Sequence, residues 1–234
     1  KKVCSSYIWM VGRLVFRRCG SLGLGVLGSR QWSSADAGSK SPICSDVVII
    51  GGGIAGTSLA VELLRVKRDL SVVLLDKQGC GCEASGLSAG TVWSAGHQQD
   101  LSCDLSAIAV NEVMARSADF YEDIQRNGND TGWVRSGNLI LAVTAQEAEY
   151  LRRDANQLQQ AGYACTFLPD AQSVAEVEPA LAGGTVRAAL YTKQSGYCEP
   201  LLATQAVAET ARKLGADVVE GESGRVTGIT VAVA

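Results

Sequence analysis

The residues Gly51-Gly52-Gly53-Ile54-Ala55-Gly56 carry the spacing that most directly implies chemistry. They read G-x-G-x-x-G. The first glycine lets a chain turn sharply out of a strand. The second, with no side chain, lets the backbone approach a pyrophosphate, and the third lets the following helix lie close on the sheet. A helix opening there presents free N–H groups and partial positive charge to phosphate oxygens. Asp76 stands 25 positions after Gly51, where a carboxylate can accept hydrogen bonds from ribose hydroxyls. Dinucleotide binding is the chemistry that suits this set. A glycine turn in an α/β domain with no ligand is the plainer alternative, and the flanking elements decide between the two.

Asp46-Val47-Val48-Ile49-Ile50 is a continuous apolar run, as expected of a buried parallel strand. From Thr57 to Arg65, Leu59, Ala60, Leu63 and Leu64 recur at helical spacing. Ser71-Val72-Val73-Leu74-Leu75 is a second buried strand, ending at Asp76. The turn therefore sits inside a βαβ unit, the context that dinucleotide binding requires. Residues 77–100 are rich in Gly, Ser and Ala with no clear period. A long helix is expected from about Leu101 to Ile124, and a strand over Trp133 to Val143. Thr144-Ala145-Gln146-Glu147 is a capping box opening a helix that ends near Gly162. A short strand over Thr166 to Leu168 and a short helix over Pro169 to Val177 follow, then a strand over Thr185 to Tyr191. Pro200 suits the first position of a helix running from Leu201 to Leu214, stopped by Gly215. Asp217 to Glu220 and Arg225 to Val233 read as closing strands. The chain ends on that apolar run, so a truncated sequence is expected.

The chain has 234 residues, 47% of them hydrophobic and 19% charged, so it can bury a sizeable core. Its net charge of -3 hides an asymmetry: residues 1–35 hold six basic residues and no acid, and the rest holds 15 basic and 24 acidic residues. An acidic body is poorly suited to nucleic acid, whose phosphates reward a basic surface. The basic, Ser- and Gly-containing first 43 residues read as a transit peptide and linker, mitochondrial more than plastid. An unstructured tail with accidental bias is the other reading. No apolar run approaches the roughly 18 residues that span a membrane. The eight cysteines are scattered, with Cys80-Gly81-Cys82 the one close pair. That spacing, without further ligands, gives no metal site and suits reduced thiols.

The segment Gly79-Cys80-Gly81-Cys82-Glu83-Ala84-Ser85-Gly86-Leu87-Ser88-Ala89-Gly90-Thr91 resembles the G-x-x-ASG-x-S-x-G segment of the D-amino-acid-oxidase-like FAD-dependent oxidoreductases. That family includes sarcosine and dimethylglycine dehydrogenases, glycine oxidase and glycerol-3-phosphate dehydrogenase. Ser136-Gly137-Asn138-Leu139-Ile140-Leu141-Ala142 is similar to the family's S-G-x-L-x-L-A strand. Gly196-Tyr197-Cys198-Glu199-Pro200 resembles its G-x-x-D/E-P lead into a helix, and Val226-Thr227-Gly228-Ile229 its V-x-x-I strand. The resemblance covers the chain from about Asp46 to its end. It implies a Rossmann-like FAD-binding domain with a parallel sheet (44–234) and, over about 130–200, part of an antiparallel-sheet substrate domain.

By the same resemblance, Gly51, Gly53, Ala55 and Gly56 would line the pyrophosphate, Asp76 would hold the adenosine ribose with Lys77 beside it, and Val226 would touch the adenine. Ser85, Ala89, Gly90 and Thr91 would line the pyrophosphate and the approach to the isoalloxazine. Ala89-Gly90-Thr91-Val92-Trp93-Ser94 is similar to the A-G-x-x-W-H segment of the mitochondrial dimethylglycine and sarcosine dehydrogenases, whose histidine is joined covalently to the flavin. Ser94 stands at that position, so non-covalent FAD is expected. His97, the sole histidine, reads as a loop residue before a shifted attachment. The implied reaction is hydride transfer from a small amine or N-methyl amino acid to FAD, with a separate electron-acceptor protein possible. A 2-hydroxy acid or glycerol-3-phosphate dehydrogenase, or a flavin-fold regulatory subunit or assembly factor, are the alternatives. Arg135 and Arg187 are the cations at hand for a substrate carboxylate, although a surface role suits each better; no catalytic residue is assigned.

Overall fold

The computed structural model describes residues 31–32, 43–95 and 107–229. A two-residue antiparallel pairing, β1 (Gln31–Trp32) with β2 (Ile43–Cys44), lies at the edge of the stretch expected to be leader and linker.

The βαβ unit forms as its pattern requires. Strand β3 (Val47–Ile50) leads through the glycine turn into helix α1 (Ile54–Val66), which returns to β4 (Val72–Leu75). A third strand, β10 (Asp217–Val219), pairs with β4, so the parallel sheet has the order β10-β4-β3. Val47, Ile49, Val72 and Leu74 share one face and bury against α1 and α5 (Pro200–Lys213). On β3 the alternate residues Val48 and Ile50 stay exposed. Period-two alternation explains this: β3 is covered on one face only.

The chain leaves this layer through β5 (Thr91–Val92) and the long helix α2 (Ala107–Arg126). Of the helix expected from Leu101, residues 101–106 lie outside the described residues. A second sheet, antiparallel throughout, has the order β6 (Asn138–Ala142), β8 (Ala188–Thr192), β7 (Thr166–Leu168). Helix α3 (Ala145–Gln160) covers one face through Leu151, Ala155 and Leu158; the short α4 (Ala171–Val177) covers the other through Val174. The Thr144–Glu147 capping box is present in full, and Asp170 caps α4 in the same way with Ser173. Strand β9 (Gly196–Tyr197) pairs with β5 and ties this sheet to the first layer.

Two expected strands differ. Trp133 to Val143 is not one strand: Val134 bridges to Tyr197, Gly137 breaks the run with φ +77°, and only Asn138–Ala142 joins β8. An L side chain at that φ is strained, so the chain changes partner there. Arg225 to Val233 is not a strand where described. Gly221–Gly224 forms a 3-10 turn and residues 225–229 run without ladder partners, residues 230–234 lying outside the described residues. Gly224 packs against the ends of β4 and β10. It sits so close that a Cβ would lie 2.4 Å from the Asp76 carbonyl oxygen and 2.3 Å from that of Val219.

Candidate functional site

The glycine turn, Asp76 and Ser85 converge at the C-terminal end of the parallel sheet, where ligands of open α/β sheets bind. The Gly51 N–H donates to the Leu75 carbonyl at 2.8 Å, holding the turn on β4. A Cβ on Gly56 would lie 2.0 Å from the Gly51 oxygen, so this glycine is what lets α1 start against its own turn. Gly51 is the opposite case: its φ is +106° and no atom lies within 4 Å of where a Cβ would be. The turn is closed at Gly56, where the helix lies, and open in front of Gly51. No side chain caps the N-terminus of α1 at Gly53, and its first turn holds no acid. The Ser85 hydroxyl reaches over instead and accepts from the Ile54 N–H at 3.0 Å. It also lies 2.8 Å from where a Gly53 Cβ would stand. An open, positively polarised helix terminus, glycine-lined and flanked by one hydroxyl, fits a dinucleotide pyrophosphate.

Asp76 is more heavily engaged than sequence reasoning expected. Its Oδ2 accepts from the Gly52 N–H at 2.7 Å, and its Oδ1 accepts from the Gln78 and Gly79 N–H groups, each at 2.9 Å. A carboxylate has about four acceptor sites, so roughly one remains for a ribose hydroxyl. Asp76 thus braces the turn to the following loop. That loop is fastened again where the Gly81 N–H donates to the Gly52 carbonyl at 3.0 Å. Glu220, which sequence reasoning missed, extends the brace. Its Oε1 accepts from the Cys80 N–H at 2.7 Å and its Oε2 pairs with Arg212 at 2.5 Å. Burial beneath Gly52 pushes the Cys80 thiol up to about 12, with the Glu220 carboxylate adding to the shift. Cys80 is therefore an inert packing thiol at neutral pH.

The other expected residues are spread more widely. Lys77 faces solvent, paired with Glu83 at 3.2 Å. Ala89 is exposed. Gly90 has φ +72° and lies against the Cys198 carbonyl, 2.2 Å from where its Cβ would be. Thr91 opens β5 opposite Tyr197. Val226 is half-buried, two residues past Gly224 and hence at the Asp76 end of the sheet. Arg135 is held by Glu122, by Asp119 at 3.4 Å and by the Gln194 carbonyl at 3.3 Å, with its guanidinium 5.8 Å from the Trp133 ring centre. Its charge is committed within the protein, as a surface role requires. Arg187 is exposed, its N–H donating to the Ala142 carbonyl. His97 lies outside the described residues.

Beside β5 is an open groove of about 410 Å³, lined by Thr91, Val92, Trp93, Met114, Ser117 and Tyr121. Burial, with a smaller contribution from Cys198, pushes the Tyr121 phenol up to about 12, so it stays protonated at neutral pH. Ser94 is buried. Its N–H donates to the Ser195 hydroxyl at 3.0 Å, and the two hydroxyls lie 3.0 Å apart. Neither Ser195 nor Glu220 carries a local motif, so only their distant partners reveal them. Among the described residues no helix is long and apolar enough to cross a membrane, and no group of three or more His, Cys, Asp or Glu residues could hold a metal ion.

Comparison with known proteins bears on the same region. The model of a family described as FAD dependent oxidoreductase matches residues 46–233. The chain is 31% identical over 176 residues to human dimethylglycine dehydrogenase, mitochondrial, covering 74% of this chain and 19% of that protein. It is 30% identical over 175 residues to glycine oxidase of Geobacillus kaustophilus (strain HTA426), covering 75% of this chain and 45% of the oxidase. The crystal structure of a Geobacillus kaustophilus glycine oxidase superposes with a TM-score of 0.62 at 29% identity, over 75% of this chain and 46% of that one. The mouse pyruvate dehydrogenase phosphatase regulatory subunit, mitochondrial, is 26% identical over 220 residues, which is 86% of this chain and 24% of that protein. The chain thus spans between a fifth and a half of the length of these relatives.

Proposed function

The chain belongs to the FAD dependent oxidoreductase family, and from that premise we propose that it serves an enzyme passing a hydride from a small amine or N-methyl amino acid to non-covalently held FAD. The observation that carries the reading is the glycine turn at Gly51 to Gly56, open in front of Gly51, with the Ser85 hydroxyl over Gly53 and the Gly51 carbonyl against Gly56. Gly51, Gly53, Ala55 and Gly56 with the Ser85 hydroxyl would hold the pyrophosphate. The remaining acceptor site of Asp76 would take a ribose hydroxyl, Lys77 would lie beside it, and Val226 would contact the adenine. Ala89, Gly90 and Thr91 would lead toward the flavin ring. FAD bound there supplies an isoalloxazine able to accept a hydride from a C–H beside nitrogen. The protein's part is orientation and exclusion of water. The inward-turned Ser94 supports a flavin with no covalent link at that position. Several relatives carry mitochondrial names, which with the basic leader supports that compartment.

A second reading, a flavin-fold regulatory subunit, is favoured by the match to the phosphatase regulatory subunit, which covers 86% of this chain. One experiment separates the two. The full-length protein is purified, its absorbance recorded over the flavin bands, and sarcosine, dimethylglycine and glycine are added without oxygen. Bleaching by one of them supports the amine enzyme. A bound flavin that none of these, nor a hydroxy acid, reduces supports the regulatory reading. Protein that neither carries flavin nor takes up added FAD refutes both.

A further inference from the structure

We infer that the Ser195 hydroxyl is a positioning group that fastens the cofactor-facing strand β5 to the turn following β8 in the antiparallel sheet. For its effect on a flavin the inference rests on the reading above, whereas the fastening itself rests on geometry. Ser94, Thr192 and Ser195 are 4%, 0% and 0% exposed. The Ser195 oxygen receives the Ser94 N–H at 3.0 Å, lies 3.0 Å from the Ser94 hydroxyl and 2.8 Å from that of Thr192. A hydroxyl has one proton and two lone pairs. One lone pair of Ser195 is taken by the Ser94 N–H. It therefore accepts from one neighbouring hydroxyl and donates its own proton to the other, and its capacity is full.

Two of these partners lie on different structural units. Ser94 lies two residues past β5 and three past Thr91, the last of the residues expected to approach the flavin ring, while Thr192 ends β8. The backbone around Ser195 reinforces the joint: the Gly137 N–H donates to the Ser195 carbonyl at 2.8 Å, and the Cys198 N–H to the Gly90 carbonyl at 2.9 Å. Of these contacts, only the Ser195 side chain reaches past β5 to its outgoing end. Ser94 occupies the position that resembles the flavin-linked histidine of the dehydrogenases, and here its polar groups turn inward. The fastener thus fixes this end of β5 through the protein, not through a bond to cofactor.

The test compares Ser195→Ala with Ser94→Ala and Thr192→Val in the full chain, by backbone hydrogen exchange. Ser195→Ala removes the acceptor of the Ser94 N–H; Ser94→Ala leaves that bond in place. The expected result is exchange about tenfold faster over residues 91–95 in Ser195→Ala, little change there in Ser94→Ala or Thr192→Val, and no change over β3 and β4 in any. In FAD-loaded protein, Ser195→Ala also shifts the visible circular dichroism of the flavin, and Ser195→Thr restores it. Equal exchange over 91–95 in Ser195→Ala and wild type overturns the proposal. So does the same rise in all three variants, or a rise spread evenly over the chain. If wild type binds no flavin yet the variants show the expected exchange pattern, the functional reading fails and the fastener stands.

Discussion

Gly56→Ala tests the site most sharply, because two opposing terms can be weighed from the structure. Gly56 lies in the first turn of α1, where alanine gains about 1 kcal/mol over glycine in helix propensity. Against this, the added Cβ would stand 2.0 Å from the Gly51 oxygen, 3.2 Å from the Gly51 carbonyl carbon and 3.2 Å from Ile49 Cγ2. The two nearest atoms are backbone, so no side chain can swing aside. Restoring ordinary contact moves α1 off β3 by more than about 1 Å, or bends the turn that Gly51 anchors to Leu75. Overpacking of this severity belongs at or above the top of the usual range of about 1–3 kcal/mol. The net expectation is a loss of about 2 kcal/mol of stability and at least a tenfold loss of FAD affinity, since the shift opens the cradle itself. Urea unfolding of the apo-protein and titration with FAD read the two effects. Gly228→Ala is the control: its backbone is outside the positive-φ region and no atom lies within 4 Å of the new methyl. A Gly56→Ala protein as stable as Gly228→Ala, with unchanged FAD affinity, would refute the argument that this glycine sets the helix against the turn.

Three further outcomes are expected. Asp76→Ala strands three backbone N–H groups and should cost about 3 kcal/mol in apo-protein; Asp76→Asn, which keeps one acceptor oxygen, should cost less, and an equal loss in both would refute the brace. In native protein at pH 8, iodoacetamide should modify the exposed Cys82 and spare Cys80, which is buried with its thiol near 12; peptide mass spectrometry decides. Burial raises the Glu220 carboxyl, but the Cys80 N–H and Arg212 outweigh it and hold the carboxyl below its ordinary 4.5. Its stabilisation is therefore complete above 4.5 and is lost as pH falls through the lowered value. Glu220→Gln should flatten that acid limb of the stability profile, and an unchanged limb would show that the pair contributes nothing.

What the sequence determined by itself is local. Val47 to Ile50, the glycine turn and Val72 to Leu75 announce a βαβ unit because short apolar runs, helical period and glycine placement act within a few residues. The Thr144–Glu147 box and the Pro200 and Gly215 limits of α5 were legible for the same reason: a cap is satisfied by its own neighbours. Tertiary structure decided whatever depends on a distant partner. Gly137 and the Val134–Tyr197 bridge divided a run that reads as one strand, and after the 3-10 turn at Gly221–Gly224 residues 225–229 run without ladder partners. Asp76 reads in the sequence as a free acceptor, and the fold places three N–H groups on it. Glu220 lies 140 residues from Cys80, and Ser195 lies 101 from Ser94. Periodicity carries no signal over such spans. A hydroxyl or carboxylate acquires its role there only when folding removes water and leaves a particular N–H with no other acceptor.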